Sequence, residues 1–95
     1  MAEEIIRKHI VFYGDVQGVG FRYRASHLAG SLGLTGWVRN NYDGSVEMEV
    51  QGRMSDIDAL VSKLQMSPFI NITHMNVAGM PVLETDRGFY VEDRY

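Results

Sequence analysis

Hydrophobic and polar residues alternate along the first part of the chain. Ile6, Ile10 and Phe12 fall on one side of an extended segment, and Lys8 is the one polar residue among them. Because successive side chains of a strand point to opposite faces, this period of two predicts an amphipathic strand from about Ile6 to Tyr13.

The spacing of hydrophobic residues changes to three and four after residue 20, which predicts a helix with one apolar stripe. The stripe consists of Phe21, Ala25, Leu28, Ala29 and Leu32. Gly33 followed by Leu34 is typical of a helix that ends in a Schellman motif. Gly30 lies inside the helix at a cost of about 1 kcal/mol relative to Ala, and we expect it to allow close packing on a sheet.

Two more strands are predicted after this helix, joined by a hairpin turn. The first covers Thr35 to Asn41, and the turn residues Tyr42-Asp43-Gly44 follow it. Hydrophobic and polar residues then alternate again from Val46 to Gln51, which indicates a half-buried strand. Gly52-Arg53-Met54 is expected to form the turn that ends this strand.

A second helix is predicted between this turn and Pro68. Ser55 and Asp58 resemble a capping box, with Asp in place of the usual Glu or Gln. The apolar stripe of this helix consists of Ile57, Leu60, Val61 and Leu64. Ser67-Pro68 is expected to end it, because proline cannot continue a helix.

The remaining hydrophobic residues predict a fourth strand and a short fifth one. The fourth strand is marked by Ile70, Ile72, Met75 and Val77. Its spacing slips by one residue between Ile72 and Met75, which predicts a bulge or a break. Residues Gly79 to Gly88 are expected to form a loop, and Phe89 and Val91 indicate the last strand.

This order of elements predicts an α+β protein with a ferredoxin-like βαββαβ sandwich: an antiparallel sheet, two helices on one face, and a short fifth strand. The length of 95 residues predicts one domain, residues 1–95. In this topology the first and second strands run in the same direction, so their carboxyl ends share one edge of the sheet. Asn40 is then expected at the end of an edge strand, beside the connection that follows the first strand.

Composition restricts the classes of function. The formal net charge of −3 argues against nucleic-acid binding through bulk charge. The chain has no cysteine, which excludes disulfides and thiolate chemistry and fits a reducing compartment. No apolar run approaches the length of a membrane span or resembles a signal peptide. We therefore expect a cytoplasmic protein that binds neither membranes nor nucleic acid. We also expect a monomer.

The connection between the first strand and the first helix is rich in glycine. Gly14, Gly18 and Gly20 lie within seven residues, and Arg22 follows in the first helical turn. We interpret these glycines as backbone positions that a ligand approaches closely, not as packing positions. A loop of this kind directs N–H groups to one point at a helix N-terminus, where phosphate is favoured. The guanidinium of Arg22 can bind two oxygens of a phosphate at once.

Two common nucleotide loops are excluded. A Walker loop requires Gly-Lys-Ser/Thr, which is absent, and the glycine spacing does not fit a dinucleotide fingerprint. Residues 14–22 do resemble the first signature of the acylphosphatase family, which is a glycine, then Val16-Gln17-Gly18-Val19, then an aromatic residue and an arginine. Residues 36–40, Gly-Trp-Val-Arg-Asn, with Gly44, Val46 and Gly52, resemble the second signature.

The resemblance covers nearly the whole chain and implies an enzyme. It implies hydrolysis of a carboxyl–phosphate bond by water, without metal, cofactor or covalent intermediate. It also implies that Arg22 binds phosphate, that Asn40 positions the water, and that loop groups bind the phosphoryl oxygens. The implied phosphate-binding residues are Asp15, Val16, Gln17, Gly18, Val19, Gly20, Phe21 and Arg22. Gly20 departs from the family pattern, in which a bulkier residue is common.

The residue types agree with this chemistry. No good general base is evident at this edge of the sheet, and no cluster of metal ligands is evident in the sequence. An acyl phosphate needs neither, since its leaving group is a carboxylate with a pKa near ~4. Positioning of water and stabilisation of charge on the phosphoryl oxygens are then sufficient. We expect an acyl phosphate as the small-molecule substrate, and inorganic phosphate or sulfate as a competing ligand.

Other interpretations remain open from the sequence. The glycine loop can be a ligand-free connection, Arg22 a surface residue, and Asn40 the start of a turn. The domain can be a regulatory module that binds a small anion. The first motif also resembles the acylphosphatase-like domain of hydrogenase maturation factors, which process carbamoyl phosphate. An RNA-binding sheet is a weaker alternative, because its aromatic signature is absent.

Overall fold

The computed structural model describes residues 3–93, in which a five-stranded sheet packs against two helices. The elements are β1 (Ile5–Asp15), α1 (Phe21–Leu32), β2 (Thr35–Asn40), β3 (Val46–Arg53), α2 (Met54–Gln65), β4 (Asn71–Met80) and β5 (Phe89–Glu92). The strand order is β4-β1-β3-β2-β5. All neighbouring strands are antiparallel except β2 and β5, which are parallel. The predicted ferredoxin-like fold is therefore confirmed.

One hydrophobic core lies between the sheet and the helices. The strand residues of this core alternate along the chain, as the pattern predicted, and each helix contributes its apolar stripe. Its fully buried members include Ile10, Phe12, Val38, Val46, Met48, Val50, Phe21, Ala25, Ala29, Ile57, Leu60 and Leu64. The core holds β1, β2 and α1 in fixed relative positions, and these three elements surround the candidate site.

Two local predictions are confirmed. At the end of α1, Gly33 has a left-handed φ of 70°, and the N–H of Leu34 donates to the carbonyl of Ala29 at 2.9 Å. This is the Schellman bond, and the buried Leu34 supplies its hydrophobic contact. On β4, one residue is inserted between Ile72 and His74 relative to β1, which is the expected bulge.

The start of α2 differs from the prediction. Arg53 occupies the N-cap with extended backbone, so Ser55 lies inside the helix and forms no capping box. The carboxylate of Glu3 accepts hydrogen bonds from the N–H and the hydroxyl of Ser55. It therefore satisfies a first-turn N–H as a cap side chain would. No separate turn forms at residues 52–54, since β3 runs through Arg53 directly into the helix.

Three further expectations are wrong. β1 and β4 are longer than predicted because they pair with each other out to Asp15 and Met80, so the loop before β5 begins after residue 80. β2 is not an edge strand, since β5 pairs with it. Gly30 is exposed, and a Cβ built there would meet no atom within 4 Å, so close packing does not explain this glycine. Neither helix is long and apolar enough to cross a membrane.

Candidate active site

Residues 16–20 connect β1 to α1 and form the backbone of the site. Gly18 and Gly20 have φ of 72° and 79°, a region that favours glycine, and Gly20 is the N-cap of α1. No side chain of residues 3–93 caps this helix, and its first turn carries no acidic residue. The first N–H groups of a helix lack intrahelical acceptors. This helix end therefore offers N–H donors and partial positive charge to an anion.

Gly14 has a different role from the one expected. It lies within β1, and a Cβ built on it would be 2.2 Å from the carbonyl oxygen of Asn71 on β4. At Gly18 and Gly20, by contrast, a Cβ would meet no atom within 4 Å. The interpretation that none of these glycines serves packing is thus wrong for Gly14, which allows the close approach of two strands beside the bulge.

A cavity of about 200 Å³ opens at the N-terminus of α1. It is lined by Val16, Gly18, Gly20, Phe21, Arg22, Tyr23 and Asn40. Arg22 and Asn40, 18 positions apart in sequence, are brought together because β1 and β2 point in the same direction on either side of β3. Val16 and Phe21 are fully buried and form the floor of the cavity.

Three residues of the predicted phosphate loop lie outside this lining. Asp15 pairs with Asn71 at the end of β1. Val19 packs against the hydrophobic core. The amide of Gln17 donates to the carbonyls of Asn41 at 2.7 Å and Ser45 at 2.9 Å. Gln17 thus ties the loop to the β2–β3 connection.

The guanidinium of Arg22 is held by Glu92, the last residue of β5, and by Asp93. Its Nη1 donates to the carbonyl of Glu92 at 3.2 Å and to the carboxylate of Asp93 at 2.9 Å. The Arg22 side chain is 28% exposed, whereas that of Asp93 is 90% exposed. The carboxylate contact is thus largely in solvent, where an ion pair contributes at most about 1 kcal/mol. The sequence pattern gave no indication of this contact.

Asn40 is the last residue of β2 and pairs with Val46 on the neighbouring strand β3. Within residues 3–93 its side chain forms no hydrogen bond. The turn that follows is closed by other groups: Asn41 N–H donates to the carbonyl of Ser45, and Asp43 accepts from the N–H and hydroxyl of Ser45. These bonds from Ser45 lower the pKa of Asp43. The Asn40 amide is therefore not required to build the turn.

Tyr23 is a lining residue that the sequence interpretation missed. Its side chain is 70% exposed and its ring lies 4.3 Å from that of His27, one helical turn away. The motif identifies Arg22 but says nothing about its neighbour. The position of Tyr23 in the first helical turn was the available signal, since that turn faces the loop.

Comparison with known proteins gives a consistent result. A sequence model of the family described as acylphosphatase matches residues 8–91. An acylphosphatase from Bifidobacterium longum is 49% identical over 89 residues, which is 92% of each chain. An acylphosphatase from Geobacillus kaustophilus is 40% identical over 86 residues, covering 90% of this chain and 92% of that protein.

Solved structures show the same similarity. The crystal structure of acylphosphatase from Bacillus subtilis has a TM-score of 0.85 and 34% identity, over 93% of this chain and 99% of that chain. Full-length HypF in its phosphate- and nucleotide-bound form also has a TM-score of 0.85, with 28% identity. That similarity covers 98% of this chain but only 12% of HypF. From its sequence and its fold together, this chain belongs to the acylphosphatase family of hydrolases.

Proposed function

We propose that this chain hydrolyses acyl phosphates to a carboxylate and inorganic phosphate, by attack of water and without a metal ion or a covalent intermediate. The observation that carries the proposal is one cavity lined by the helix N-terminus, Arg22 and Asn40. These groups supply donors for a phosphoryl group and an amide for a water molecule. The family membership of the chain supports the same reaction.

The phosphoryl group binds to the N–H groups of the loop and the first turn of α1, and to Arg22. The positive end of the helix and the guanidinium both stabilise negative charge on the phosphoryl oxygens. This charge is present in the substrate and is redistributed in the transition state. Fixed donors of this kind need no reorganisation during the reaction.

Asn40 orients the attacking water. Its amide both donates and accepts hydrogen bonds, and neither capacity is used within the described part of the chain. The cavity lining contains no Asp, Glu or His that could act as a strong base. An acyl phosphate tolerates this, because a carboxylate leaves readily with a pKa near ~4. A phosphate monoester requires an alkoxide to leave and is a poor substrate for the same groups.

The donor set supports a reaction without metal. Among residues 3–93, no three side chains of His, Asp or Glu are grouped so that they could hold a metal ion. The only charged side chain in the cavity lining is Arg22, a cation that repels metal ions. The proposal also includes a monomer, as expected from the sequence. The absence of cysteine fits the cytoplasm.

The test is hydrolysis of benzoyl phosphate beside p-nitrophenyl phosphate, each with and without EDTA. We expect turnover of benzoyl phosphate only, unchanged by EDTA, and competitive inhibition by inorganic phosphate or sulfate. Loss of activity on chelation, with recovery on adding a divalent ion, would refute the metal-free reaction. Inhibition that is not competitive would refute phosphate binding in the same cavity as substrate.

A second candidate is an acylphosphatase-like domain that acts within a larger protein, as the similarity to a small part of HypF indicates. The resemblance of the glycine-rich motif at residues 14–22 to hydrogenase maturation factors points to carbamoyl phosphate as the substrate. Carbamoyl phosphate therefore belongs in the same assay. A clear preference for it over benzoyl phosphate would favour this second candidate.

A further inference from the structure

The cavity at the N-terminus of α1 has a buried end and an open rim. Val16 and Phe21, at 0% and 2% exposure, form the buried end, and Tyr23, at 70% exposure, lies at the rim. If the phosphoryl group occupies the donors of the loop, the rest of the substrate extends towards the rim. Tyr23 is the one lining residue with an exposed aromatic side chain.

The backbone next to Tyr23 leaves space for that part of the substrate. Gly20 is the N-cap of α1 and Tyr23 is three residues later, so the two are neighbours on the helix surface. Both line the cavity. A Cβ built on Gly20 would meet no atom within 4 Å, so no protein atom fills the space beside it. The surface of α1 beside Tyr23 is therefore open on the side of Gly20.

The orientation of the Tyr23 ring is restrained by its neighbour on the helix. His27 lies one turn further along α1, and the two ring centroids are 4.3 Å apart with planes tilted by 45°. A ring in contact with a neighbouring ring loses less conformational freedom when it contacts a ligand, which improves its use as a binding surface. The other ring in the lining, Phe21, is buried in the core and packs on Phe12.

We infer that Tyr23 is a specificity-determining residue that contacts the acyl group, and that the site favours flat, apolar acyl groups such as benzoyl over small ones such as acetyl. This inference rests on the proposed function. A planar acyl group gains an aromatic contact with Tyr23, whereas an acetyl group is too small to cover the ring. Nothing in the lining besides Tyr23 distinguishes the two substrates, since both present the same phosphoryl group to Arg22 and the loop.

The test measures kcat and KM for benzoyl phosphate and acetyl phosphate, in the unaltered protein, Tyr23→Ala and Tyr23→Phe. The ratio of the two kcat/KM values, benzoyl over acetyl, is expected to fall about tenfold in Tyr23→Ala, mainly through the KM for benzoyl phosphate. Tyr23→Phe retains the ring and should keep the ratio within about twofold of the unaltered protein. Tyr90→Ala removes a ring that is 60% exposed on β5, outside the cavity lining, and is the matched control.

The outcomes separate this inference from the proposed function. If neither acyl phosphate is hydrolysed by the unaltered protein, the proposed function fails. If both are hydrolysed but Tyr23→Ala leaves the ratio unchanged, Tyr23 does not contact the acyl group and the inference is wrong. A loss in Tyr23→Ala that is equal for both substrates, together with weaker inhibition by inorganic phosphate, would show that the ring only supports Arg22, and would also overturn the inference.

Discussion

Replacing Gly14 by Ala is expected to destabilise the protein more than any other glycine replacement beside the site. A Cβ at this position would lie 2.2 Å from the carbonyl oxygen of Asn71 and 2.9 Å from the nitrogen of Thr73. Both atoms belong to the backbone of β4 and cannot move by a side-chain rotation. The φ of Gly14, 124°, is also one that residues with side chains rarely adopt.

The magnitude follows from these two penalties. The backbone strain costs on the order of 1–3 kcal/mol, and the collision requires β1 and β4 to separate by roughly 1 Å, at a further cost of about 1–3 kcal/mol. We expect Gly14→Ala to lose about 3 kcal/mol or more of the free energy of unfolding. In a chain of this length that corresponds to a Tm lower by roughly 15 °C. Urea unfolding and a thermal melt measure the two values.

Gly79→Ala is the matched control, because Gly79 lies on the same strand pair. It has ordinary backbone, and a Cβ there would meet no atom within 4 Å. Its free energy of unfolding should stay the same or rise by at most about 1 kcal/mol. Should Gly14→Ala prove as stable as Gly79→Ala, the two strands do not approach as closely as described, and the packing role of Gly14 is wrong.

Four other substitutions give separate expectations. Asn40→Ala should lower kcat about a hundredfold and leave KM and phosphate inhibition nearly unchanged, since a water-orienting group acts mainly in the transition state; equal loss of kcat and phosphate binding would contradict this. Arg22→Lys should weaken both rate and phosphate inhibition, and near-normal kinetics would show that only its charge matters. Gly30→Ala should raise the free energy of unfolding by about 0.5–1 kcal/mol, because this glycine is exposed within α1, and a loss would restore a packing role. Burial raises the pKa of Glu47, but hydrogen bonds from His9 and Arg39 outweigh it and hold the pKa below its ordinary value of 4.5. The ionised Glu47 therefore stabilises the fold above pH 4.5, and this contribution is lost as the pH falls through the folded pKa. Glu47→Gln should show a smaller difference in the free energy of unfolding between pH 7 and acid than the unaltered protein, and an unchanged difference would contradict this.

The order of elements could be predicted because each element buries one face. The period of two in β1 and the period near four in α1 are both imposed by the core, so they are visible in sequence. Strand ends were less visible. β1 continues through Gly14 and Asp15 because β4 pairs with them, and that pairing depends on residues nearly sixty positions away. The cap of α2 by Glu3 was missed for the same reason, since no local pattern connects residue 3 to residue 55.

The site was predictable to the extent that topology determines it. Once β1 and β2 were predicted to run in the same direction, Arg22 and Asn40 had to meet at one edge of the sheet. The supporting contacts were not predictable. Gln17 belongs to a recognisable motif, but its bonds to Asn41 and Ser45 depend on how the β2–β3 turn folds back towards the loop. The sequence motif therefore indicates which residues belong to the site, but contacts between residues distant in sequence determine which of their atoms face the cavity.

The contacts of Arg22 give the fifth strand a part in the proposed mechanism. Among the contacts within residues 3–93, Glu92 and Asp93 engage Nη1 alone, so Nε and Nη2 form the parallel pair of donors that the proposed mechanism assigns to two phosphoryl oxygens. A lysine has a single ammonium, so it cannot keep the contacts to Glu92 and Asp93 and also offer two parallel donors to a phosphoryl group. Asp93 is so exposed that its replacement alone should matter little. The carbonyl of Glu92, however, is backbone and no substitution removes it, so the orientation of Arg22 depends on the pairing of β5 with β2.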